Sequence, residues 1–168
     1  DVRGTVNDDW FDARGFSSES VNAGSSGTRN SFRGGLGDDT IIGNGNTRAD
    51  YRDAADGVDV DLVQGVAQSR NNSSGDPAQI GVDRLYGVNI VLGSEFGDYI
   101  VGGEIGEFGA GLLGYGGDDT LIGGSGFSLL EGGAGDDSIV AGNRGSVARY
   151  NGNFEDFSIE VQGGKLLV

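Results

Sequence analysis

The sequence predicts an all-β chain wound as a parallel β-solenoid, with two parallel sheets joined by glycine–aspartate turns. Three observations predict it. Gly132 to Val140 reads G-G-A-G-D-D-S-I-V, which fills every specified position of the nonapeptide G-G-x-G-x-D-x-U-x, where U is a large apolar residue. The same pattern is complete in Gly34–Ile42 (G-G-L-G-D-D-T-I-I) and lacks only the second glycine in Gly114–Ile122 (G-Y-G-G-D-D-T-L-I). The apolar position also keeps phase: Leu112, Leu121, Leu130, Ile139 and Ala148 fall nine residues apart without a break.

A nine-residue period is too short for a helical hairpin. It suits half a coil, in which a six-residue turn precedes a three-residue strand with one side chain inward. Eighteen residues then close a coil, and stacked coils lie about 4.8 Å apart. Turns eighteen residues apart share an edge, so Asp119 and Asp137 at the sixth position belong together. Gly93–Val101 (G-S-E-F-G-D-Y-I-V) adds Asp98 to that edge if three residues are inserted near Gly102 to Glu104. The opposite edge carries Ala110, Ser128 and Ser146 at the sixth position and is expected to hold no metal.

The N-terminal repeats are less regular. Gly4–Asp12 (G-T-V-N-D-D-W-F-D) places Asp9 at the sixth position, and Ser25–Arg33 places Asn30 there. Counting one insertion near Ala13 to Gly15 puts Asp9 and Asn30 on one edge and Asp39 on the other, with a weak metal site at each aspartate.

One domain over 1–168 is expected, in four parts. Repeats fill 1–47. A strand-rich interruption follows over 48–92, where Val58, Val60 and Leu62 alternate with Asp59 and Asp61 and a polar loop covers 68–79. Repeats resume over 93–150, and alternating apolar residues over 151–168 supply the cap that the last coil of a solenoid needs.

Composition narrows the function. The 168 residues include 35 Gly, roughly a fifth of the chain against a usual share of about 7%. A single proline and no G-X-Y period exclude collagen. A formal net charge of -15 opposes binding to nucleic acid or anionic lipid, and no apolar run is long enough to span a membrane. With no Cys and no His, the chain has neither disulfides nor a zinc-type site, and no His-based catalytic triad. An enzyme is not expected.

Aspartates stacked in register need a counter-charge. Two carboxylates about 5 Å apart repel by roughly 3 kcal/mol at an effective dielectric of 20. Several such pairs would offset a net stability of about 5–15 kcal/mol. Calcium fits, because it takes six to eight oxygens in irregular geometry and accepts backbone carbonyls. Magnesium demands tighter geometry and keeps its waters.

The three nonapeptides resemble the RTX family, the haemolysin-type calcium-binding repeats. The likeness extends to the middle segment, A-D-Y-R-D-A-A-D-G-V-D-V-D-L followed by G-V-D-R-L-Y-G-V-N-I-V-L-G-S-E-F-G-D-Y-I-V-G. The resemblance implies a right-handed parallel β-roll that binds several Ca2+ ions, passes through a type I secretion machinery and folds outside the cell or at the bacterial surface. It implies ion-holding roles for Asp39, Asp98, Asp119 and Asp137, with carbonyls from Gly114, Gly117, Gly132, Ala134 and Gly135. The expected role is a calcium-dependent, rigid module of a larger secreted protein. Two alternatives stand beside it: an adhesin, surface-layer or filament module that binds polysaccharide or neighbouring copies, and an accessory module of a secreted enzyme.

Overall fold

The structure is a computed structural model. It describes residues 1–15, 30–71, 75–104 and 110–150, together with the backbone of two strands over 160–162 and 165–167. The described residues are all-strand, and none of their elements is a helix long and apolar enough to cross a membrane.

Two sheets face each other. The first holds β1 (Val2–Arg3), β3 (Asn30–Arg33), β5 (Thr47–Asp50), β9 (Ile90–Leu92), β11 (Ala110–Gly116), β13 (Ser128–Ala134) and β15 (Ser146–Arg149), in that order and all parallel. The second runs β2 (Trp10–Asp12), β4 (Thr40–Ile42), β8 (Val82–Tyr86), β7 (Val66–Ser69), β6 (Val58–Asp61), β10 (Tyr99–Val101), β12 (Thr120–Ile122) and β14 (Ser138–Val140). Apart from β6 to β8, successive strands up to β15 alternate between the two sheets, so the chain coils as the nine-residue phase requires. Leu112 pairs with Leu130 in one sheet, and Leu121 pairs with Ile139 in the other.

The apolar position of each strand makes the core. Phe32, Ala49, Val91, Leu112 and Leu130 line the first sheet; Phe11, Ile41, Leu85, Val60, Ile100 and Leu121 line the second. All are buried, and burying each large side chain contributes roughly 1.5–3 kcal/mol. Phe11 and Phe32 stack across the gap with centroids 5.1 Å apart.

The interruption breaks the parallel order. Strand β7 pairs antiparallel with both β6 and β8, while β8 joins β4 and β6 joins β10. The chain therefore runs ahead to β6, turns back through β7, and returns beside β4 before resuming its coils. Gln68 and Ser69, expected in a loop, end β7 opposite Asp59 and Val58. The expected cap over 151–168 is described only as an antiparallel pair, β16 (Glu160–Gln162) and β17 (Lys165–Leu167), with β17 beside β14.

Candidate metal centre

Every turn that leads from the first sheet into the second ends with a residue two places before an inward apolar side chain. Asp9, Asp39, Asp98, Asp119 and Asp137 occupy that place, and their backbones and carboxylates interlock. Asp119 Oδ1 accepts the N–H of Asp98 at 2.7 Å, and Asp137 Oδ1 accepts that of Asp119 at 3.1 Å. Asp98 Oδ1 accepts the N–H of Val58 at 2.8 Å. At the other end Asp39 Oδ1 accepts the N–H of Asp9 at 2.8 Å. The carboxylates of Asp39, Asp98, Asp119 and Asp137 thus reach back to the neighbouring coil before them, while that of Asp9 stays within its own turn.

The neighbouring fifth-position aspartates reach the other way. Asp8 accepts the N–H of Asp38, and Asp118 that of Asp136, each at 3.0 Å. The side chains of Asp8 and Asp118 are exposed and brace the next coil.

One expectation is corrected. Asp9 and Asp39 share an edge, because β2 pairs with β4, while Asn30 sits on the other sheet against Thr47. Phe32 and Ile41, nine apart, are successive half-coils, so Asn30 and Asp39 must lie on opposite edges; the spacer counted after Phe11 was too short. The residues between lie outside those described. The Asn30 edge is neutral: Thr47 donates its N–H to Asn89 Oδ1 at 2.9 Å, and Ser146 Oγ accepts the N–H of Gly142 at 2.8 Å.

Asp83 was missed. It is buried on β8, two residues before Leu85, and its Oδ1 accepts the N–H of Asp39 at 3.0 Å. The G-x-D-x-U spacing of Gly81 to Leu85 is the signal; Ala78 and Gln79 stand where the pattern has its first two glycines, which hides the repeat.

The second carboxylate oxygens carry the chemistry. Oδ2 of Asp39 and of Asp119 is buried and accepts no hydrogen bond. An orphaned buried oxygen costs on the order of 1–3 kcal/mol, more when charged. Each points at the first glycine of its turn. A Cβ on Gly114 would collide with Asp119 Oδ2 and come within 2.6 Å of the Gly132 carbonyl oxygen on the next coil. A Cβ on Gly93 would collide with Asp98 Oδ2 and lie 2.8 Å from the Gly114 carbonyl oxygen. Carboxylate and carbonyl oxygens therefore converge where glycine leaves room, a hard oxygen set suited to calcium.

The five aspartates are not equivalent. Asp98 Oδ2 accepts the N–H of Ser94 at 2.7 Å, and Asp9 Oδ2 accepts the N–H and hydroxyl of Thr5 at 2.6 and 3.0 Å. Gly35 and Tyr115 stand at that second position in the Asp39 and Asp119 turns and cap neither oxygen. The Gly117 carbonyl faces Gly135 on the next coil, and the Tyr115 carbonyl faces Gly133 in the same way. Ala134 closes β13, paired with Gly116. Among the described residues no three acidic side chains cluster; each cradle joins few carboxylates to main-chain oxygens.

Electrostatics follow from this burial. Desolvation, with repulsion from Asp98 and Asp137, pushes Asp119 up to about 8 despite the hydrogen bond from the Asp98 backbone. Desolvation and the charges of Asp9, Asp8 and Asp38 push Asp39 up to about 6. Burial raises Asp98 and Asp137 as well. Without a cation the fold resists ionising the row.

The RTX calcium-binding nonapeptide repeat family matches the chain in four copies, over residues 25–47 and 113–143. These segments match RTX calcium-binding repeats. The matched RTX segments contain Asp39, Asp119 and Asp137; the turns of Asp9 and Asp98 lie outside them but keep the same backbone-to-carboxylate link. No curated protein matches the chain.

Proposed function

We propose that this chain is a non-catalytic, extracellular calcium-binding module that gives calcium-dependent order to a larger bacterial protein secreted by a type I route. The observation that carries the reading is the pair of buried, unpartnered oxygens, Asp39 Oδ2 and Asp119 Oδ2, each facing a cradle that a Cβ would fill. Asp39, Asp119 and Asp137 hold the ions, with carbonyls of Gly114, Gly132, Gly117 and Tyr115, and Asp98 and Asp9 contribute more weakly through oxygens already engaged. Bound calcium supplies the positive charge that lets stacked carboxylates ionise inside the fold. The coils wind right-handed, the hand favoured for parallel crossovers.

Inside a cell, submicromolar calcium leaves sites with dissociation constants of about 0.1 mM empty. Outside, at roughly 1 mM, each such site contributes about 1.4 kcal/mol. Order is thereby deferred until export. Calorimetric titration combined with far-UV circular dichroism tests this. Strand signal and heat that saturate together at millimolar calcium support the proposal; a spectrum indifferent to chelator contradicts it.

A further inference from the structure

The interruption holds its buried carboxylates Asp50 and Asp83 in hydrogen bonds, and Asp50 also in ion pairs, one of them with Arg33 on β3 before it. Asp50 has a side chain with no exposed surface, and it is held between two guanidinium groups: Arg33 Nη2 at 2.6 Å and Arg52 Nη2 at 2.7 Å, with Arg52 Nε at 2.9 Å. Arg33 also pairs with Asp53. Burial alone would raise the Asp50 carboxyl, but the hydrogen bonds from Arg52 and Arg33 hold it well below the usual range. Both oxygens of buried Asp83 are engaged, one by the Asp39 N–H and the other by the Tyr51 hydroxyl at 2.9 Å. Asp76 accepts the N–H of Gly81 at 2.8 Å and the hydroxyl of Ser69. Around these polar contacts Tyr51, Val58, Val60, Ala67, Ile80, Leu85 and Val91 are buried.

The C-terminal repeats differ. Among their described residues the ion pair is Arg149 with Glu131 at 3.5 Å, which leaves Asp118, Asp119, Asp136 and Asp137 without a paired cation. The interruption also cuts the aspartate row. Asp83 lies opposite Ala67, and Ala67 opposite Val60. Across β7, then, the first carboxylate row runs into the apolar row of the second block. The two rows are offset by two residues, about 6.6 Å. Strand β7 (Val-Ala-Gln-Ser) brings no carboxylate to bridge them.

We propose that the segment from Thr47 to Leu92 folds without calcium and divides the chain into two calcium ladders that fill independently, one through Asp9 and Asp39, the other through Asp98, Asp119 and Asp137. This rests on the calcium-binding reading above and refines it. A metal-free centre gives each ladder a templated edge: β4 stacks on β8, and β10 on β6. Each row then extends away from a preformed strand, and only the first coil on each side meets that support.

Hydrogen–deuterium exchange of the whole chain, read by peptide across a calcium titration that starts in chelator, tests the inference. In chelator, peptides within 47–92 are more protected than those within 110–150, which gain protection as calcium is added. Asp119→Asn raises the calcium midpoint of 110–150 at least tenfold and leaves that of 30–46 unchanged; Asp39→Asn does the reverse. Tyr51→Phe lowers the protection of 47–92 in chelator and moves neither midpoint. An unprotected chain in chelator that gains protection everywhere at one midpoint overturns the inference and leaves calcium-dependent folding standing. Full protection in chelator, unchanged by calcium, overturns both.

Discussion

The backbone N–H of Asp98 donates to Asp119 Oδ1 at 2.7 Å, while the other oxygen of that carboxylate stays buried without a partner. One side chain thus locks two coils together and turns an unsatisfied charge toward the glycine turn. Under the proposed calcium-binding role, structural cross-link and metal ligand are the same group, so the stability of the coils and their affinity for calcium are coupled.

That coupling sets a pH dependence. Asp39 and Asp119 are raised from the ordinary 3.8 to about 6 and about 8 in the metal-free fold. A raised carboxyl means that the fold prefers the protonated form. Its stabilising contribution is complete below about pH 4 and is lost as pH rises through about 6 and then about 8. Thermal midpoints in chelator should fall across this window. Calcium requires the ionised form, so the stabilisation it adds should grow over the same range. A midpoint in chelator that climbs from pH 5 to 8 would refute the assignment.

Replacing Asp119 by Asn keeps an oxygen for the Asp98 N–H and removes the charge. In chelator at pH 9 the variant should be more stable than the native chain, and at pH 4 the two should converge. Its calcium affinity in the C-terminal repeats should drop tenfold or more. Urea melts at both pH values, with and without calcium, read these opposite signs.

Gly114→Ala places a methyl group on Asp119 Oδ2 and beside the Gly132 carbonyl. Overpacking of this kind costs about 1–3 kcal/mol. The methyl group also occupies the cradle, so calcium should recover little of the loss. Calorimetry should show fewer bound ions than in the native chain.

Tyr115 adopts φ 84° where the repeat pattern has glycine, and Arg52 lies 5.6 Å from its ring centroid. A left-handed residue with a Cβ costs roughly 1–2 kcal/mol. Tyr115→Ala loses the ring contact and retains the strain; Tyr115→Gly loses the contact and relieves it. The glycine variant should therefore be the more stable of the two by about 1 kcal/mol in urea melts. Equal midpoints would argue against strain at this turn.

Asp50→Asn removes the charge buried between Arg33 and Arg52. Breaking a buried pair from one side costs about 3–5 kcal/mol. The loss should appear in calcium and in chelator alike, because no cation substitutes for this carboxylate. A loss confined to chelator would instead place Asp50 among the metal ligands.

The fold was legible wherever the backbone repeats itself. Leu112, Leu121, Leu130 and Ile139 set a phase that passes straight into strand register, and Asp98, Asp119 and Asp137 fall in one row because that phase admits only a short insertion. Legibility failed where chain length stopped reporting position. Between Phe11 and Phe32 the spacer is long, and counting from its near side put Asn30 on the wrong edge; counting nine residues from Phe32 to Ile41 settles it. The hairpin of β6 to β8 was hidden for another reason. Val58 to Asp61 alternates like any strand, and direction leaves no mark on a period of two; Val66 to Ser69 (V-A-Q-S) buries Ala67 and Ser69 with no apolar alternation to announce it. Asp83 carried the G-x-D-x-U spacing from Gly81 to Leu85 in plain view, but Ala78 and Gln79 replace the two leading glycines that make such an aspartate conspicuous. The orphaned oxygens of Asp39 and Asp119 depend on whether the second turn residue caps them, a contrast between Gly35 or Tyr115 and Ser94 or Thr5 that only side-chain positions display.

Anomalous scattering from crystals grown in millimolar calcium tests the central claim most directly. Peaks beside Asp39 Oδ2 and Asp119 Oδ2, at 2.3–2.6 Å from those oxygens, are the predicted result. Well-ordered turns with no peak at either oxygen would contradict it.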